Sequence, residues 1–254
     1  MPIRSEGCLG VALLAAGLAG APAPDPVEML AVPAGEFLMG SQDPEADADE
    51  GPVARIRVEA FWIDRVEVTS ARYAACVEGG ACSPPVGPSF RDASKADHPV
   101  TIVSWAQATT YCRSVGKRLP TEAEWEKAAR GADGRRFPWG SSFELGRANA
   151  GYTAGTEAVG SHPGGASPHG VLDMAGNVWE WTSSLYRPYP YDPADGREEP
   201  MARGARVNRG GSWYYGPWYV RTTYRATADH IYRRIGDLGF RCASSHAGPL
   251  PGPP

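Results

Sequence analysis

The sequence has no Cys-x-x-Cys pair, no His-x-x-x-His pair, and no cysteine between Cys112 and Cys242. The first two absences remove the common zinc-ligand spacings. The five histidines, His98, His162, His169, His230 and His246, are scattered. Excess positive charge is missing too. The 25 Lys and Arg against 29 Asp and Glu leave a net charge of −4, which argues against a nucleic-acid partner. No apolar run is long enough for a stable membrane span. No repeat and no shift in composition marks an internal boundary. What is present is glycine (31), proline (24), tryptophan (8) and tyrosine (11) against 42% hydrophobic residues. That mixture predicts a sizeable core with much irregular chain.

The N-terminus reads as a secretory signal over residues 1–23. Arg4 is followed by a small-residue apolar run, Leu9 to Ala21, with cleavage expected around Ala19 to Ala23. A buried N-terminal helix is the alternative. A linker over 24–31, a domain over 32–244 and a disordered tail over 245–254 complete the expected organisation. Export leaves Cys76, Cys82, Cys112 and Cys242, an even number. Cys76 and Cys82 bracket the short loop VEGGA, and Cys112 and Cys242 remain to pair with each other. The expected location is therefore periplasmic or extracellular.

Met29 to Gly40 reads as two short strands across the turn Pro33-Ala34-Gly35. Gln42 to Gly51 carries five carboxylates and reads as a solvated loop. Arg55 to Val68 alternates, with Ile56, Val58, Ala60 and Trp62 on one side of a half-buried strand. Three helices follow. One starts at Thr69 or Ser70 and stops at Gly79-Gly80. A second is capped by Ser104 with Gln107 three residues on, and a third by Thr121 with Glu124 in the matching position.

The densest stretch is Arg209 to Cys242. After Gly210-Gly211 come Trp213, Tyr214, Tyr215, Trp218, Tyr219 and Tyr224, interleaved with Arg221 and Arg225. Rings give contact area at low entropy cost and guanidinium gives directed donors, so the pattern suits a recognition surface. Core packing is the alternative for any single ring. Ser212, Tyr215, Arg221, Arg225 and His230 are the candidate catalytic groups; the six aromatics are the candidate ligand-binding set.

The pieces KRLPTEAEWEKAARG (117–131), FPWG (137–140), DMAGNVWEW (173–181), RGGSW (209–213) and LGFRC (238–242) stand in one order, with VPAGEFLMGS (32–41) and HPVTIVSW (98–105) before them. In that order they resemble the sulfatase-modifying-factor family, whose branches include formylglycine-generating enzymes and ergothioneine-synthase and pyoverdine-maturation domains. The resemblance runs from Val32 to Ala243. It implies a single α+β domain of C-type-lectin-like fold, with two or three helices and short twisted strands. It also implies the Cys112–Cys242 bridge, and calcium held by the side chains of Asp173 and Glu180 and the carbonyls of Gly176 and Val178. Formylglycine-generating members hold copper on two cysteines, matched here by Tyr215 and Val220. Neither residue supplies a thiolate, so copper is not expected. The iron-binding histidine cluster of the ergothioneine branch has no counterpart. Diversified ligand-binding proteins of this fold carry their variable residues after the same RGGSW. The resulting expectation is a binding or accessory protein that presents the aromatic and arginine loop to a peptide, glycan or protein; the alternative is an oxidoreductase acting through a non-cysteine site.

Overall fold

The computed structural model describes residues 28–87, 89–228 and 236–246. The signal over 1–23, His230, and the tail from 247 onward lie outside the described residues. The chain runs β1 (Met29–Val32), β2 (Gly35–Met39), β3 (Ala54–Val58), β4 (Phe61–Asp64), α1 (Ser70–Glu78), α2 (Trp105–Ser114) and α3 (Glu122–Arg130). It continues through β5 (Trp179–Leu185), β6 (Arg206–Arg209), β7 (Ala226–Ala228), β8 (Leu238–Gly239) and β9 (Ala243–Ser244). The architecture is α+β, with strands in the orders β1-β4-β9, β2-β3 and β7-β6-β5-β8. All neighbours are antiparallel except β5 and β8.

The three helices start at their expected caps. Thr69 Oγ1 accepts from Arg72 N, and complete capping boxes join Ser104 to Gln107 and Thr121 to Glu124. These signals were legible because a cap satisfies orphan amides within its own first turn.

Four strand and loop expectations change. β1 and β2 do not pair with each other across Pro33-Ala34-Gly35; β1 pairs with β4, and β2 with β3. β1 also takes in the end of the span read as linker. The alternation from Arg55 to Val68 breaks at the exposed Glu59 and Ala60, so Phe61 and Ile63 point inward beyond them while Trp62 is only half-buried. A one-residue slip exchanges the faces of a strand, and the two halves enter different sheets. The acidic segment is also not simply solvated. Glu50 is fully buried, receiving Arg221 Nη2 at 2.6 Å and Thr223 Oγ1 at 2.6 Å.

One core packs α1 and α2 against Trp179, Trp181, Leu238 and Phe240. Within it Tyr73 stacks on Tyr111 at 5.6 Å, and the edge of Phe240 meets Tyr111 at 5.5 Å. A second core lies between β1–β4 and α3, around Trp125. Every residue of α3 is buried, its charged side chains included. Cys76–Cys82 and Cys112–Cys242 are both bonded, as the sequence predicts.

Candidate functional site

The segment after β6 turns at Gly210 and Gly211, with φ of 95° and 70°. A Cβ on Gly211 would lie 2.6 Å from Val220 and 2.7 Å from the Tyr219 carbonyl, so only glycine lets the chain fold back on itself here. The returning chain is tied to two other loops. Gly151 N donates to Tyr215 O at 2.8 Å, Thr153 N to Trp213 O at 3.1 Å, and Trp213 N to Asn177 O at 3.0 Å. Asn149 and Asn177 bind each other side chain to side chain at 3.2 Å, closing the knot.

Arg221 and Arg225, read as recognition groups, face inward, as does Arg209 before them. Arg209 Nη2 donates to Glu126, and its Nη1 donates to the carbonyls of Thr223 and Tyr224. Arg221 is clamped on Glu50, and Arg225 makes two bonds to Glu122 at 2.6 and 3.1 Å. Arg225 also lies over the rings of Tyr186 and Tyr189. Each guanidinium is at most 4% exposed by residue. Burial of charge requires a partner, and acidic residues from α3 and the 42–51 loop supply it. Ser212 is fully buried as well, donating to Asp237 at 2.6 Å.

What remains at the surface is aromatic. Tyr152 (69% exposed) and Tyr214 (54% exposed) meet edge to face at 5.8 Å. Trp213 and Tyr215 flank Tyr214 at 5.5 and 5.7 Å. Tyr215, Tyr219 and Tyr224 then run inward to Trp179, with successive centroids 4.9 to 5.8 Å apart. Trp218 does not stand free: the Arg221 guanidinium lies 3.8 Å from its ring centre. Beside Trp213 opens a cleft of about 190 Å³, walled by Ser70, Phe90, Lys95, His98 and Thr156. His98 Nδ1 is 3.0 Å from Thr156 Oγ1. Tyr152 and Lys95 were not singled out in the sequence, because they come from loops remote from RGGSW and carry no local pattern.

The two carboxylates matched to calcium ligands are both engaged by protein groups. Glu180 is fully buried and receives Arg241 on both oxygens at 2.7 Å, with Trp125 Nε1 at 2.9 Å. Asp173 accepts from Gly160 N at 2.6 Å. Burial, and then the neighbouring Asp173, pushes the Glu67 carboxyl well above the usual range. A guanidinium thus engages both oxygens of Glu180. Among the described residues no group of three or more His, Cys, Asp or Glu is arranged to hold a metal. The two positions matched to copper thiolates do not fit that ion. Val220 is buried with Phe137 and Ala175, and Tyr215 offers a phenol.

The buried phenols carry a pH signature. Burial, then Asp49, pushes Tyr186 up to about 12, and burial, then Asp47, does the same to Tyr224. Burial raises Tyr189 and Tyr191 further. A raised folded-state pKa means that the folded form holds its proton longer. The stabilisation is therefore complete below about pH 10 and is lost as pH rises towards the folded values. Melting temperature is expected to be flat from pH 8 to 9.5 and to fall steadily between pH 10 and 12. Tyr186→Phe should shallow that fall; an unchanged profile in the variant would show that Tyr186 does not contribute.

A family model described as the sulfatase-modifying factor enzyme 1-like domain matches residues 16–246. The formylglycine-generating enzyme of Bos taurus is 31% identical, over 89% of this chain and 77% of that protein. A second Bos taurus protein, named inactive C-alpha-formylglycine-generating enzyme 2, is 32% identical over 89% of this chain and 90% of its own. The solved structure of PvdO from Pseudomonas aeruginosa superposes with a TM-score of 0.71 at 29% identity, covering 85% of this chain and 93% of that one. The ordered motifs, the lectin-like α+β fold and these matches together make this chain a member of the sulfatase-modifying factor enzyme 1-like family.

Proposed function

We propose that this chain is an exported ligand-binding member of its family, without formylglycine-generating chemistry, that presents the Tyr152–Tyr214 pair and the neighbouring Trp213 cleft to a peptide, glycan or protein. The observation carrying this reading is the state of the cysteines: Cys76, Cys82, Cys112 and Cys242 are all consumed in disulfides. Among the described residues no thiolate is left near the aromatic loop, where cuprous ion would need two soft ligands. An exposed aromatic pair beside a cleft suits stacking and hydrogen bonding instead. Two disulfides are consistent with an oxidising compartment.

The test has two arms. A cysteine-containing peptide incubated with the protein and copper is expected to show no aldehyde by mass spectrometry above a metal-free control. On peptide and glycan arrays the wild-type protein should bind a discrete set of probes, and Tyr214→Ala should reduce that binding about tenfold or more, a loss of about 1.4 kcal/mol, with melting unchanged. Trp218→Ala is the less clean variant, because its ring supports the buried Arg221. Copper-dependent aldehyde formation would overturn the proposal, as would array binding insensitive to Tyr214.

A further inference from the structure

Two loops remote in sequence meet beside the aromatic segment in a short antiparallel ladder. Gly151 N donates to Tyr215 O at 2.8 Å and Thr153 N to Trp213 O at 3.1 Å. That register sets Tyr152 opposite Tyr214, and facing residues of such a ladder carry their side chains within reach of each other. The rings meet edge to face, with centroids 5.8 Å apart. We propose that this pair is a modification site, at which a haem peroxidase with hydrogen peroxide joins the two rings into dityrosine and staples the loops together.

Among the described residues Tyr152 and Tyr214 are the only exposed tyrosines, at 69% and 54%. An external oxidant therefore reaches these two rings before the others, and they already touch. Among the same residues neither phenol has a hydrogen-bond partner, so each can give its proton to water. Tyr152 also holds φ at 64°. A residue with a side chain adopts that left-handed backbone at a cost, and such strain is kept where the surroundings impose it. A ring so exposed adds little to the core, so packing does not account for the strain; facing Tyr214 does. Tyr215 lies 5.7 Å from Tyr214 as well, but its ring is packed on Tyr219 at 4.9 Å and on Trp179 at 5.5 Å and is not free to turn.

Each phenol loses one electron and one proton and becomes a phenoxyl radical. Its unpaired electron is shared with the ring carbons ortho to the oxygen. One such carbon from each ring forms the new C–C bond, and the hydrogen that each carried moves to oxygen, restoring both phenols. The pair gives up two electrons and two protons in all, and hydrogen peroxide takes them up through the peroxidase as two waters. The new link lies inside the span closed by Cys112–Cys242 and constrains the unfolded chain further. The chemistry needs two exposed rings in contact and does not depend on the ligand proposed above for the same face.

The full chain at low concentration is treated with a haem peroxidase and limiting hydrogen peroxide, then digested and read by mass spectrometry. The monomer is expected to yield two peptides joined at Tyr152 and Tyr214, with the loss of two hydrogens. Tyr152→Phe and Tyr214→Phe each remove one exposed phenol and should each abolish the link while melting as the wild type does; Tyr186→Phe should retain it. The linked monomer should melt higher than the unlinked one by about 5 °C or more. Absence of the link would overturn the proposal, as would links only between protein copies or in equal yield at other tyrosine pairs. So would a link that persists in either Phe variant of the pair, or a linked monomer that melts no higher than the unlinked one.

Discussion

Replacing Cys112 and Cys242 together by alanine is expected to cost about 4–5 kcal/mol, enough to remove most of the stability of a domain this size. The bond closes a span of 130 residues, from the end of α2 to the strand edge at β9. Between those points the chain has α3 and a few short strands joined by long irregular segments. A chain of that kind loses much entropy on folding, and the cross-link removes part of that loss from the unfolded state. Both sulfurs lie in the core against Phe240 and Tyr111, so the substitution also opens a cavity. The local Cys76–Cys82 bond spans six residues, and its loss is expected to cost only about 2 kcal/mol in the same entropy model. Urea unfolding of the two double variants measures both. Equal losses would mean that loop length is not what the long bond contributes.

Arg241→Met is expected to destabilise by about 3–5 kcal/mol, the range for stranding one member of a buried ion pair. Arg241 is fully buried, holds Glu180 by two bonds, and donates to the carbonyls of Asp64, Arg65 and Leu172. It therefore joins β4, the 172–173 turn and β5 at one point. Removing it leaves Glu180, among the described residues, with the Trp125 indole. The double variant Arg241→Met with Glu180→Leu should recover part of the loss, since an apolar pair strands no charge. Calorimetric melts with and without calcium chelator complete the comparison. If chelation rather than Arg241→Met proved the destabilising change, Glu180 would be an ion ligand and the pairing described above would be wrong.

Local signals in this sequence were reliable where the physics is local. The caps at Thr69, Ser104 and Thr121 act within one turn. The bracket of Cys76 and Cys82 spans one loop. Signals that depend on a distant partner misled. Arg221 and Arg225 read as ligand donors beside aromatics, yet Glu50 lies 171 residues from the first and Glu122 lies 103 residues from the second. The five carboxylates from Asp43 to Glu50 look solvated for the same reason. Nothing within ten residues of Glu50 announces its partner Arg221. Asp173 and Glu180 have the spacing of a turn-borne cation site, and the bond from Arg241 to Glu180, 61 residues away, is not announced by that spacing.

Sequence alone determined the family, the three helices and their starts, the two disulfides, and the lack of a thiolate pair after RGGSW. Each of these depends on residue identity or on contacts within a few positions, except the Cys112–Cys242 bond, which spans 130 residues and was reached because no other cysteines remained for those two. Tertiary structure alone decided which rings are exposed, where Tyr152 meets Tyr214, and which cleft Trp213 borders. It also decided that the loop arginines serve the interior. Charge burial is settled by whether an opposite charge arrives from elsewhere in the fold, and here it arrives from α3 and the 42–51 loop.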